Sequence, residues 1–294
     1  MQTMCKLSDS HKKQLILILT LLAIAVTSYG QVIPLSGVVN NTKGDPIQYV
    51  NIGVVGKSIG TVSDSLGRFK LFFEKDEHLD EILRFSSIGY ASNEINVRKL
   101  DFDKKLVISL NESITTLNEI VIQENSSSII KGKNKSSSKR VVNFALSNKD
   151  NKNLGAVIGR KFEFSSNARN SLYEFGFFIK ENDFDYIKLR INLYSLKKGL
   201  PKKHINTVPL YLELEKAQKG WVYFDLSDAG IVVSNDIVVG VEWVERSNNG
   251  KTFSLPIIIP SIGSTHYYRY GSQDKWRKFR GITTPMIINY KTEK

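Results

Sequence analysis

Residues 60–71 read Gly-Thr-Val-Ser-Asp-Ser-Leu-Gly-Arg-Phe-Lys-Leu, a polar turn between two strand-like runs. Glycine enters the left-handed backbone region without steric cost, and an Asp carboxylate accepts N–H bonds from the residues that follow it. Asp64 and Gly67 are therefore read as a structural turn, the corner between two strands. Beyond it Phe69 and Leu71 stand two residues apart, so in a strand they share a face and bury together.

Outward from that corner the pattern repeats. Residues 33–122 hold the short β-branched and aromatic runs SGVVN, YVNIGVV, RFKLFF, ILRFSSIGY, NEINV and LVISL. NTKGDP, SDSLG and KDEH separate them and supply turn chemistry. Strands at this spacing with no helical period between them imply an antiparallel sandwich.

Several ordered elements here carry a family resemblance: Gly37-Val-Val39, Gly44-Asp-Pro46, Val50-Asn-Ile52, Gly60-Thr61, Ser63-Asp64, Gly67 and Phe69. They are similar to the carboxypeptidase-like regulatory domain common in exported proteins of Bacteroidetes-type bacteria. FSSIGYASNEINV, residues 85–97, matches the family stretch that follows. The resemblance implies a seven-stranded prealbumin/Ig-like sandwich over residues 31–122, with no catalytic role for the Asp64 turn. TTLNEIVIQE, residues 115–124, resembles a segment that follows this domain in TonB-dependent outer-membrane receptors. Ile120, Val121 and Ile122 also read as a last strand of the sandwich.

The flanks set the compartment. Residues 1–30 carry Lys6, Lys12 and Lys13, the apolar run Leu15–Val26, and the small-residue exit Ser28-Tyr-Gly30. That is the layout of a secretory signal peptide, and the apolar run is well short of the roughly 20 residues of a spanning helix. An uncleaved anchor is the alternative. The sole Cys, Cys5, falls inside this segment, so the remainder is expected to fold without disulfides. Removing three Lys and one Asp with residues 1–30 takes the net charge from +12 to +10. A basic exported chain suits an anionic envelope surface or acidic glycan, and export disfavours nucleic acid.

Residues 123–152 change character. QENSSSIIKGKNKSSSKR offers little to bury and is read as a flexible basic linker. Strand patterns resume over residues 153–294, read as a second, jelly-roll-like β-sandwich, so the whole is expected to be all-β. In Ile187-Lys-Leu-Arg-Ile-Asn-Leu-Tyr194 every second residue is apolar, which predicts one buried and one wet face. This half resembles a domain found behind the regulatory module in exported proteins of the same bacteria, which carries no activity with it.

Candidate chemistry concentrates in residues 266–280, HYYRYGSQDKWRKFR. Tyr267, Arg269, Trp276 and Arg277 are the ligand-binding candidates, since aromatic faces stack on sugar rings while Arg donates to hydroxyls or acidic groups. The competing reading is a hairpin, strand HYYRYG and strand KWRKF about a turn SQD, whose aromatics fill the core. Trp221 and Trp243 read as core. The acid pairs Asp183 with Asp185, Asp225 with Asp228, and Glu242 with Glu245 are better read as solvated charges than as hydrolase carboxylates. Ser264-Thr-His266 lacks a nucleophile elbow. His78-Leu-Asp-Glu81 lies in an acidic run, with His204 and His266 beyond the linker, so neither metal nor cofactor is expected.

The function expected is that of a non-enzymatic exported protein of the periplasm or outer membrane, binding glycan or an envelope protein. The alternatives are an assembly partner of TonB-dependent-receptor-like machinery and, behind it, an unrecognised hydrolase.

Overall fold

The computed structural model describes residues 32–74, 78–113, 128–144 and 154–293. The signal-peptide reading of residues 1–30 and the receptor-like stretch 115–124 lie outside them. The described residues are all-β, broken only by the three-residue helical turns Val97–Lys99 and Ser227–Ala229.

Seven strands in two sheets build the N-terminal sandwich. Gly60–Val62, Asn51–Val54, Ile82–Ser86 and Asn93–Asn96 lie in that order in one sheet; Arg68–Glu74, Val32–Asn41 and Leu106–Leu110 form the other. Val32–Asn41 pairs parallel with Leu106–Leu110, a departure from the wholly antiparallel expectation, while every other pairing in the sandwich is antiparallel. Leu35, Val39, Ile52, Phe69, Leu71 and Phe85 fill the space between the sheets. At the corner, the Asp64 carboxylate accepts the backbone N–H groups of Leu66 at 2.9 Å and Arg68 at 2.8 Å. Gly67 turns there with φ of 70°.

The larger half packs two main sheets over one core. Six strands of the first run in the order Leu200–His204, Ile187–Lys197, Ile237–Arg246, Val157–Phe162, Thr265–Arg269 and Arg277–Arg280, and Leu210–Leu214 also pairs with Ile187–Lys197. The second runs Gly220–Asp225, Arg169–Ile179, Met286–Glu293 and Ser128–Lys133, with Val232–Val233 joined to Arg169–Ile179. Leu189, Ile191 and Val241 of one meet Phe175, Phe177 and Ile288 of the other.

Two expectations change here. Ile187, Leu189, Ile191 and Leu193 bury as predicted, but Arg190, Asn192 and Tyr194 on the face expected to be wet are also at most 2% exposed. Arg190 is covered by Tyr49 and Asn51 of the N-terminal sandwich, whereas Asn192 donates to Glu242 and Tyr194 packs against Trp276 and His204 of its own half. The segment read as a flexible linker is also corrected over its described part. Ser128–Lys133 pairs with Met286–Glu293, and Val141–Asn143 pairs with Phe253–Pro256. Phe144 is fully buried and stacks on Phe253 with ring centroids 4.9 Å apart. Backbone pairing plus one large anchor offsets an ordering cost that the Ser/Lys composition alone could not. Phe144→Ala is expected to destabilise the chain by about 3–5 kcal/mol, measured by urea denaturation; an exposed tether would leave the midpoint unmoved.

Candidate functional site

The hairpin of Thr265–Arg269 and Arg277–Arg280 is joined by residues 270–276, longer than the three-residue turn expected. This loop docks on the N-terminal sandwich. The N–H of Gly56 donates to the Gln273 carbonyl at 2.8 Å, and Gln273 Nε2 donates to Ser86 Oγ at 2.7 Å and to the Asn51 carbonyl at 3.3 Å. The Ser272 carbonyl presses on Gly53 and Gly60, where a Cβ on Gly60 would sit 2.5 Å from that oxygen. Gly60, read from the sequence as the start of a strand-like run, is also a docking residue.

A buried ionic network reinforces the docking. Arg190 donates from Nη1 to the Tyr49 carbonyl and from Nη2 to Asn51 Oδ1, both at 2.8 Å, and forms an ion pair with Glu242 at 2.9 Å. Glu242 is fully buried and also receives Arg269 at 3.2 Å and Asn192 Nδ2 at 2.6 Å. Burial opposes its charge, but the two guanidinium groups prevail and hold its pKa below the ordinary Glu value. Tyr49, at φ of 52°, donates its hydroxyl to Glu245 at 2.6 Å and accepts from Lys188 at 3.1 Å. Glu242 is thus not the solvated charge expected but a buried one, and both it and Glu245 are tied into the interface network.

Beside this network lies a cleft of about 590 Å³ between the two domains. Arg84, Ser86 and Tyr90 line it from the N-terminal side; Tyr194, Arg269, Asp274 and Trp276 line it from the other. The rings interlock, with Trp276 edge-on to Tyr194 at 5.3 Å and the Arg269 guanidinium over Trp276 at 5.1 Å. Three polar atoms of this group are buried without a hydrogen-bond partner: Tyr194 Oη, Arg269 Nε and Asp274 Oδ2. Buried polar atoms in native proteins are rarely left so, because each costs about 1–3 kcal/mol. Arg269 Nε can only donate and an ionised Asp274 only accept, while the Tyr194 hydroxyl does either. Burial pushes the Tyr194 phenol up, so it keeps its proton at neutral pH.

Of the four candidate residues, Arg269 and Trp276 meet in this cleft. Tyr267 is corrected: it is fully buried, donates its hydroxyl to the Gly199 carbonyl at 2.9 Å, and presents no face for stacking. Arg277 lies on the exposed strand with its guanidinium 4.2 Å above the Tyr270 ring and does not line the cleft. Tyr194 was missed because its strand alternation assigned it to a wet face. Asp274 was missed as an ordinary turn acid.

The remaining candidates resolve into structure. Trp243 is core, whereas Trp221, read as core, is half-buried on the far face of the smaller sheet between Phe178 and the half-exposed Tyr223. Asp183 Oδ1 accepts the N–H groups of Lys251 and Thr252, each at 2.7 Å, and Asp225 accepts that of Ser227 at 2.8 Å. His266 is buried, which lowers its pKa to about 4 and keeps it neutral. Glu81 pairs with Lys57 at 3.2 Å. Among the described residues no group of three or more His, Cys, Asp or Glu is placed to hold a metal ion.

The domain that forms one wall of the cleft has known relatives. Residues 35–122 match the family model of the CarboxypepD_reg-like domain. The regulatory-like domain therefore supplies Asn51, Gly53, Gly60 and Ser86 to the interface, and Arg84 to the cleft. Over 110 residues, 37% of the chain, the sequence is 26% identical to the TonB-dependent receptor SusC of Bacteroides thetaiotaomicron. The match spans 10% of that receptor's length. Among solved structures, the cysteine protease and lectin-like domains of Cwp84, a surface layer associated protein of Clostridium difficile, align with 48% of this chain and 33% of that one. With 15% identity and a TM-score of 0.36, that likeness is too distant to bear on fold or ligand.

Proposed function

We propose that this chain is a non-catalytic protein of the cell envelope that binds glycan in the cleft between its CarboxypepD_reg-like domain and its C-terminal sandwich. One observation carries the reading: Trp276 walls a cleft between the two domains that Arg84, Tyr194, Arg269 and Asp274 also line. Ring stacking with complementary donors and acceptors is the chemistry that recognises a pyranose. The signal-like residues 1–30 and the likeness to an outer-membrane receptor support an exported location, in the periplasm or at the outer membrane. No helix among the described residues is long and apolar enough to cross a membrane.

Titration of the full chain with a panel of soluble oligosaccharides tests the reading. Trp276→Ala is expected to weaken binding about tenfold while melting stays near that of the parent. Undiminished binding in that variant moves the ligand elsewhere. The SusC likeness favours a second reading, a structural partner of TonB-dependent receptors. Copurification of such a receptor with the full chain, without any saccharide binding, is the outcome that selects it.

A further inference from the structure

We infer that the cleft takes an acidic saccharide, and that the regulatory-like domain supplies part of its charge recognition. This rests on the glycan reading above. The residues lining the cleft include the cations Arg84, Arg190, Lys202, Arg269 and Lys275 against the single carboxylate Asp274. Glu242 lies against Arg190 and Arg269, and Glu94 against Arg84 at 2.6 Å. Setting these three acids against the five cations leaves an excess of two positive charges in the cleft.

The charges and the neutral groups divide the site. Tyr194 and Asp274 are 2% and 8% exposed and form the floor beneath the cleft, with the half-buried Trp276 ring as its wall. Lys202 is exposed, and Lys275 runs its stem past Gly56 of the other domain. Arg84 stands on the strand Ile82–Ser86 of that domain. A pyranose bearing a carboxylate, sulfate or phosphate satisfies both parts, its ring against Trp276 and its anion among Arg84, Lys202 and Lys275. A neutral sugar has the ring contact alone. Because the cations come from both domains, the site is complete only while the domains are docked.

Three probes test the inference on the full chain: an oligogalacturonate, its fully methyl-esterified form, and a hexose phosphate. The acid is expected to bind about tenfold more tightly than the ester at low ionic strength, with the advantage shrinking as salt is added. Lys202→Gln with Lys275→Gln, and separately Arg84→Gln, should each reduce that advantage severalfold without lowering the melting temperature or weakening the ester. Tighter binding of the hexose phosphate than of the galacturonate keeps the inference and assigns the anion as phosphate. An ester that binds as tightly as the acid overturns the inference and leaves the glycan reading standing. An acid preference insensitive to Arg84→Gln overturns the part given to the regulatory-like domain. If no saccharide binds at all, the glycan reading itself falls.

Discussion

Replacing Glu242 by glutamine is expected to destabilise the folded chain by about 3–5 kcal/mol, the usual consequence of removing one partner from a buried ion pair. Glu242 is fully buried and faces Arg190 at 2.9 Å and Arg269 at 3.2 Å. A neutral amide leaves both guanidinium charges out of water without a counter-ion. The damage extends across the interface, since Arg190 also donates to the Tyr49 carbonyl and to Asn51. The pH dependence follows from the direction of the shift. The folded-state pKa of Glu242 is depressed, so its contribution is fully present above the ordinary Glu value of the unfolded chain. It is lost as pH falls through the folded value. Urea denaturation from neutral pH down to about pH 3 should show the parent losing an increment that the glutamine variant never had. Equal midpoints for parent and variant at neutral pH would mean that the network contributes nothing.

Gly60→Ala should also destabilise, by roughly 1–3 kcal/mol, although general expectation has the opposite sign. Within a strand, alanine is ordinarily favoured over glycine by about 0.5–1 kcal/mol, because glycine loses more backbone freedom on folding. Gly60 opens the strand Gly60–Val62, and its φ is not in the left-handed range, so the backbone accepts alanine. The obstacle is the Ser272 carbonyl, 2.5 Å from where the new Cβ would lie. That oxygen is backbone, held in a loop that Gln273 ties to Asn51, Gly56 and Ser86. Relief requires the whole loop to lift, which also displaces Trp276 from the cleft. Calorimetry is expected to show a lowered and broadened transition, together with lost saccharide binding. An alanine variant more stable than the parent would show that the loop does not rest on this strand.

What was legible in the sequence is what depends on neighbours in the chain. The corner at Asp64 and Gly67 follows from two side-chain properties acting over four residues. The strand from Ile187 shows its core face because apolar residues recur at every second position. The polar phase of that strand was misread because what covers it is distant in the chain: Arg190 is buried by Tyr49 and Asn51, more than a hundred residues away, Asn192 is held by Glu242, and Tyr194 packs against Trp276. Val141, Val142 and Phe144 were hidden inside a Ser- and Lys-rich stretch whose average composition argued for a tether. The cleft was half visible. Arg269 and Trp276 drew notice as an aromatic and basic cluster, whereas Tyr267 in the same cluster is buried together with its neighbours His266 and Tyr268, because both faces of that strand are covered. Asp274 carried no local signal, since its unpartnered oxygen exists only once the loop is docked.

Hydrogen–deuterium exchange of the full chain, with and without saturating oligogalacturonate, tests the cleft most directly. Slowed exchange is predicted in residues 270–276 and, in the other domain, around Ser86 to Tyr90, the two walls that a bound saccharide would bridge. Protection confined to the strand Gly220–Asp225, where Trp221 and Tyr223 face outward, or no protection at either wall, would contradict it.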